Sequence, residues 1–352
     1  MNDNLYVIIP YFNFYKNIYR ISNLLKVLNS FKNSKNFLKC KVFIAEARYE
    51  EVPINKNAKW NEDDSFFELD EANAHVPQVM DFTRNLMDKN YEKLNNIFLQ
   101  FIDNKNYFHV KYQIPQKIWI KENLINLTIK EHLPKDWEYF CWIDGDVIFD
   151  NENWINETKE LLNQFDIIQM FSACFNQMNY NRKNYIGHNG YIYTERKKEN
   201  NNNLILNEML VTHMGYGWAM NRKLYEKIEK LWEVNIVGAA DSIIARCAIQ
   251  KLSEEQILNT DALNVIYSPN YGKKLLEYYS KFKDCKYGYL NNNLFHIYHG
   301  EMQKRQYMAR HKILQKQKYD DSFLERNEFG VLYLKNESLE KEIEQYLIHR
   351  EN

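Results

Sequence analysis

No apolar stretch of this 352-residue chain approaches the roughly 20 residues that a membrane-spanning helix needs. The first such run, Leu5 to Ile9, is stopped by Pro10 and is followed by no small-residue cleavage site, so a soluble, unsecreted, cytoplasmic protein is expected. A cysteine framework is also missing. Cys40, Cys141, Cys174, Cys247 and Cys285 are odd in number, widely spaced and set mostly among apolar residues, which argues against a disulfide scaffold or a cysteine zinc site and fits a reducing compartment. Charge of one sign is not in excess. With 46 basic and 47 acidic side chains the formal net charge is −1, and such a field has no reason to attract a long polyanion. The sequence shows neither an internal repeat nor a convincing linker.

What the chain does have is core, since 45% of it is hydrophobic. Leu5-Tyr6-Val7-Ile8-Ile9, closed by Pro10, has the pattern of a strand covered on both faces in a parallel sheet. The spacing of Ile18, Ile21, Leu24, Leu25 and Leu28 predicts a helix, and Lys41 to Ala45 a second buried strand. The acidic stretch Tyr49 to Asp70, with Pro53 and no clear period, is expected to be a loop or insertion over the site. Ile120, Leu124 and Leu127 predict a helix within Lys117 to His132, stopped by Pro134. Tyr139 to Ile143 and Asp166 to Phe171 read as strands, and Lys183 to Asn203 as a polar excursion. Gly215-Tyr216-Gly217 reads as punctuation before a helix from Arg222 to Leu231, and Ser242 to Leu252 as a further helix. The expected class is α/β: a Rossmann-like, mixed and mostly parallel sheet flanked by helices, with a single domain over residues 1–300 and a basic, largely helical appendage over 301–352.

Asp144-Gly145-Asp146 follows the Tyr139 strand directly, at the carboxyl end where open α/β sheets bind ligands. Two carboxylates there, with Gly145 allowing a tight turn, suit a hard cation such as Mn²⁺ or Mg²⁺ that also takes substrate phosphates. The same letters also describe a solvated turn. Asp241 begins a helix after Gly238-Ala239-Ala240, which fits a general base and fits an ordinary helix cap. His296 and His299 are imidazoles in an apolar stretch; as a His-x-x-His pair they lack the three or four ligands zinc takes. Lys304, Arg305, Arg310, His311, Lys312, Lys316 and Lys318 make a basic run, either a solvated helix face or, through Arg305 and Arg310, a clamp on a pyrophosphate. Gly215 and Gly217 would let a ligand approach the backbone, with Trp218 or Tyr216 stacking on a sugar, or they simply make the turn.

The blocks Trp119-Ile120-Lys121-Glu122-Asn123-Leu124-Ile125-Asn126, Trp142-Ile143-Asp144-Gly145-Asp146-Val147, Gly215-Tyr216-Gly217-Trp218-Ala219 and Gly238-Ala239-Ala240-Asp241, in that order, resemble the GT-A glycosyltransferases, in particular the β4-galactosyltransferase-like and family 2 enzymes. The resemblance runs from about Val7 to about Leu314 as short blocks between divergent segments. It implies a nucleotide-binding half of about residues 1–150 and an acceptor half of about 151–300. Pro10, Tyr11 and Glu46 would then line the nucleoside, and Lys121 and Asn126 the diphosphate and donor sugar. Asp144, Asp146 and His299 would hold the metal, and Asp241 would act as base. Phe12-Asn13-Phe14 replaces the family's usual arginine, and Ala240 and Ser242 stand where relatives carry further acceptor-binding carboxylates.

The expected function is metal-dependent transfer of a sugar from a UDP-sugar to an acceptor hydroxyl on a glycan, a protein or a nucleic acid, with inversion if Asp241 is the base. The rivals are a retaining transferase with the same metal site, a sugar nucleotidyltransferase and a non-catalytic glycan-binding module. Phe12-Asn13-Phe14-Tyr15 lacks the glycine-rich, cationic loop of the nucleotidyltransferases, and the presence of Asp144, Asp146 and Asp241 speaks against the binding module.

Overall fold

A computed structural model describes residues 3–49, 91–100, 106–179, 184–200, 212–258, 266–300, 306 and 309–351. Arg305 and nearly all of the expected loop after Tyr49 lie outside them. The elements follow in the order β1 (Leu5–Phe12), α1 (Ile18–Lys32), β2 (Cys40–Arg48), α2 (helical residues 91–100), β3 (Tyr107–Gln113), α3 (Lys121–His132), β4 (Tyr139–Ile143), β5 (Val147–Phe149), α4 (Trp154–Leu162), β6 (Ile167–Gln169), β7 (Ala173–Gln177), β8 (Tyr185–Asn189), α5 (Tyr191–Asn200), β9 (Gly217–Asn221), α6 (Arg222–Ile228), α7 (Ala240–Ile249), α8 (Glu254–Leu258), α9 (Pro269–Ser280), β10 (Tyr287–Tyr289), β11 (Asn293–His296), α10 (Ala309–Lys316), β12 (Leu324–Arg326), β13 (Leu332–Leu334) and α11 (Glu337–Glu351).

Strand β1 shows why the sheet is buried on both sides. Leu5, Val7, Ile9 and Tyr11 join one core with α1, while Tyr6, Ile8 and Phe12 join the other with α3, as the two-residue period of a strand requires. Seven strands pair in the order β10-β6-β9-β4-β1-β2-β3; β9 runs against β4 and β6, and every other pair is parallel. The protein is therefore mixed α/β, with a Rossmann-like, largely parallel sheet flanked by helices. A second sheet, β5-β11-β7-β8, starts just past the end of β4.

The local reading needs three corrections. Pro10 does not close β1, which runs on to Phe12; the β1–β4 ladder ends at Ile8–Trp142, so Pro10 stands where β2 alone borders the strand. The polar stretch after Lys183 contains β8 and α5, with Ile192 and Thr194 buried. The Gly217 segment is a strand, because Gly217 brings the chain so close to β4 that a Cβ would lie 3.3 Å from Ile143.

Past residue 308, Leu314, Tyr319, Leu332, Leu334, Leu339 and Ile343 belong to the same core as α3. Asn123 of α3 accepts the Leu332 N–H at 3.0 Å, and Arg326 pairs with the buried Glu233. No described helix is long and apolar enough to cross a membrane.

Candidate active site

The sheet ends build two adjoining groups. In the first, β11 pairs antiparallel with β5 so that His296 stands opposite Val147, the residue after Asp146. The Ile297 N–H donates to the Asp146 carbonyl at 2.8 Å and continues that pairing. His299 Nε2 then lies 3.0 Å from Asp146 Oδ2, and His296 Nε2 3.7 Å from Asp146 Oδ1. Among the described residues these three form the group whose ligand atoms all fall within 4.8 Å of one another. One carboxylate and two imidazoles on nearly buried side chains fit a divalent metal, and the two imidazoles shift the donor set away from Mg²⁺. The His-x-x-His pair, which has no cysteine or further histidine beside it in the sequence, has Asp146, remote in sequence, as a third potential ligand.

In the second group Lys121, 5% exposed at its side chain, donates to Asp144 Oδ1 at 2.8 Å and to Asp241 Oδ2 at 3.1 Å. The Asp144 N–H is held by the Tyr216 carbonyl at 2.9 Å, and Trp142 Nε1 lies 3.4 Å from Asp241 Oδ1. Desolvation pushes the Asp144 carboxyl up to about 6, opposed by Lys121 and reinforced by the charges of Asp241 and Asp146. Burial works against the Lys121 ammonium, but Asp144, Asp241 and Glu122 hold its pKa well above the ordinary lysine range.

Glu122, missed in the sequence, is buried beside this lysine, and desolvation pushes its carboxyl up to about 8. The folded chain thus keeps a proton that the unfolded chain releases near pH 4.5. Unfolding releases that proton anywhere between these values, so the contribution of Glu122 to stability is full below pH 4.5 and is lost as pH rises toward 8. Glu122→Gln is expected to flatten this decline and to gain on wild type by on the order of a few kcal/mol on going from pH 5 to pH 8.5. Urea melts at the two pH values check it.

Gly215 sits between the groups. A Cβ there would lie 3.1 Å from the His213 ring, so its lack of a side chain lets that ring approach, whereas with Asp241 Oδ2 it would make an ordinary 3.6 Å contact. Gly145, by contrast, does not take the left-handed backbone, and a Cβ there would make ordinary 3.5 Å contacts with Ile9 and Leu24; the tight turn does not require glycine. Gly238, at φ +90°, leads into the turn before Asp241, and a Cβ there would lie 3.2 Å from the Arg310 guanidinium. Arg310 is buried beneath that turn.

Several expected contacts lie elsewhere. Asn126 is about 140° around α3 from Lys121, at 3.6 residues per turn, and points into the core. Its amide donates to the Leu231 carbonyl at 3.0 Å and accepts from the Leu231 N–H at 2.9 Å and the Tyr225 hydroxyl at 3.2 Å. Asn126→Ala is therefore expected to cost about 2–3 kcal/mol of stability, from buried partners left unpaired, while nucleotide affinity stays unchanged; denaturant melts and nucleotide titration separate the two.

Trp218 is wholly buried and donates to the Met214 carbonyl, which removes it as a sugar platform. Pro10 pairs with Ala45 and Tyr11 with Glu46 on adjacent strands. Glu46 accepts from Arg48 and lies 2.6 Å from His109 Nε2; although burial opposes it, His109 and Arg48 hold its pKa below the usual range. Phe12, in the region where the resembling family often carries an arginine, stacks on Trp119 at 4.8 Å. His213 was missed because no periodicity marks it; only its place two residues before Gly215 hinted at it.

No family model matches the chain, and no curated protein sequence does. Among solved structures it is similar to the 4-diphosphocytidyl-2C-methyl-D-erythritol synthase of Anaerococcus prevotii, at 10% identity over 85% of this chain and 91% of that chain, with a TM-score of 0.33. It is also similar to mouse xyloside xylosyltransferase 1 in its apo form, at 9% identity over 82% of this chain and 78% of that chain, with a TM-score of 0.27. Likenesses this distant leave the chemistry of the site to be argued from its own residues.

Proposed function

We propose that the chain is a GT-A-type glycosyltransferase that moves a sugar from a nucleoside diphosphate, UDP first, to an acceptor hydroxyl. The observation that carries this reading is the adjacency of a three-donor group, Asp146, His296 and His299, to the Lys121-bridged pair Asp144 and Asp241 at the carboxyl ends of the parallel strands. Asp146, His296 and His299 would hold Mn²⁺, which when bound supplies positive charge against the departing diphosphate. Asp144, expected as a ligand, bonds Lys121 and stands outside this three-donor group.

Lys121 fixes Asp241, and the Asp241 carboxylate takes the proton of the acceptor hydroxyl as that oxygen attacks the anomeric carbon. Attack from the side opposite the leaving group inverts the configuration.

Thermal melts with UDP, alone and with Mn²⁺, Mg²⁺ or Zn²⁺, test the reading. Stabilisation greatest with UDP and Mn²⁺ together is expected, and no response to any nucleotide would overturn it. Product stereochemistry by NMR tests the base: a retained anomeric configuration would remove Asp241 from that role.

A further inference from the structure

The proposed reaction leaves Tyr216 without a task, although it contacts His296 of the first group and the Asp144 N–H of the second. We infer that Tyr216 is a positioning residue that sets the plane of the His296 imidazole for a divalent cation; this rests on the metal reading above. A sugar has no face of this ring to use. The side chain is 4% exposed, with His213 stacked on it at 3.9 Å and 7° and His296 at 4.8 Å and 22°.

Strand pairing fixes where the His296 backbone lies but not the ring, whose last torsion is broad. A flat neighbour selects one plane. The neighbour is itself anchored, because the Tyr216 hydroxyl donates to Asn176 Oδ1 at 2.5 Å, and Asn176 stands directly across from His296 in the β7–β11 pair. Tyr216 also takes φ +75°, a left-handed conformation that a bulky residue keeps only when its surroundings impose it. Its carbonyl holds the Asp144 N–H, so one residue ties the imidazole of one group to the carboxylate turn of the other.

Mn²⁺ affinity of the full chain, read from the EPR signal of free Mn²⁺, tests this in wild type, Tyr216→Phe, Tyr216→Leu and Tyr216→Met, with a melting temperature for each. Phenylalanine keeps the flat ring and should bind within about threefold of wild type. Leucine and methionine should bind about 10–100-fold more weakly, the usual cost of disturbing a group that orients a ligand. If the leucine variant does not fold, the methionine variant carries the comparison. Equal affinity in all variants, or affinity that follows melting temperature whatever the ring, would overturn the inference alone. A wild-type chain that binds no Mn²⁺ would overturn the metal reading and this inference together.

Discussion

Replacing Asp146 by alanine is expected to abolish the Mn²⁺-linked stabilisation by UDP and to lower turnover about 10³-fold, the equivalent of about 4 kcal/mol of transition-state stabilisation. Asp146 is the carboxylate of the three-donor group and stands within 4 Å of both imidazoles. Without it two imidazoles remain, a poor match for a hard cation. Asp146 lies beyond the last residue of β4, so the fold should survive its truncation. Steady-state kinetics and thermal melts check both parts, and a variant that still binds UDP more tightly with Mn²⁺ would contradict the assignment.

The second large effect is expected at Lys121. Lys121→Met removes the cation between Asp144 and Asp241 and leaves two carboxylates facing each other. Breaking a buried ion pair typically costs 3–5 kcal/mol; with Asp144 and Asp241 31% and 19% exposed, about 3 kcal/mol is expected here. Activity should fall as well, because Asp241 loses the bond that aims it. The double variant Lys121→Met with Asp144→Asn should recover part of the stability, since one of the facing charges is gone, but not the activity. Urea melts and activity assays of both variants beside wild type test this. No recovery in the double variant would show that the loss is one of packing.

What the sequence showed and what it hid divide along physical lines. Leu5 to Ile9, Ile18 to Leu28 and Tyr139 to Ile143 were legible because each carries its own period or a continuous apolar run, and each is found as a strand or helix. The juxtaposition of Asp146 and His299 came from the resemblance and not from spacing. The place of His296 depends on a register between residues 147 and 296, which no local pattern encodes.

Gly217 was read as punctuation, yet its missing side chain serves close strand packing. Lys121 and Asn126 were both expected at the diphosphate and donor sugar; five residues of helix turn one toward Asp144 and the other toward Leu231. Glu122 gave no signal, because burial of a helix residue beside a site depends on the elements packed over it, α3 being almost wholly covered.

The central claim is that Asp146, His296 and His299 together hold the cation. The most direct measurement is anomalous scattering at the manganese edge from crystals grown with UDP and Mn²⁺. The account predicts one strong peak within bonding distance of an Asp146 oxygen and both imidazole nitrogens. A peak elsewhere, or none, with the three side chains turned away from one another, would contradict it.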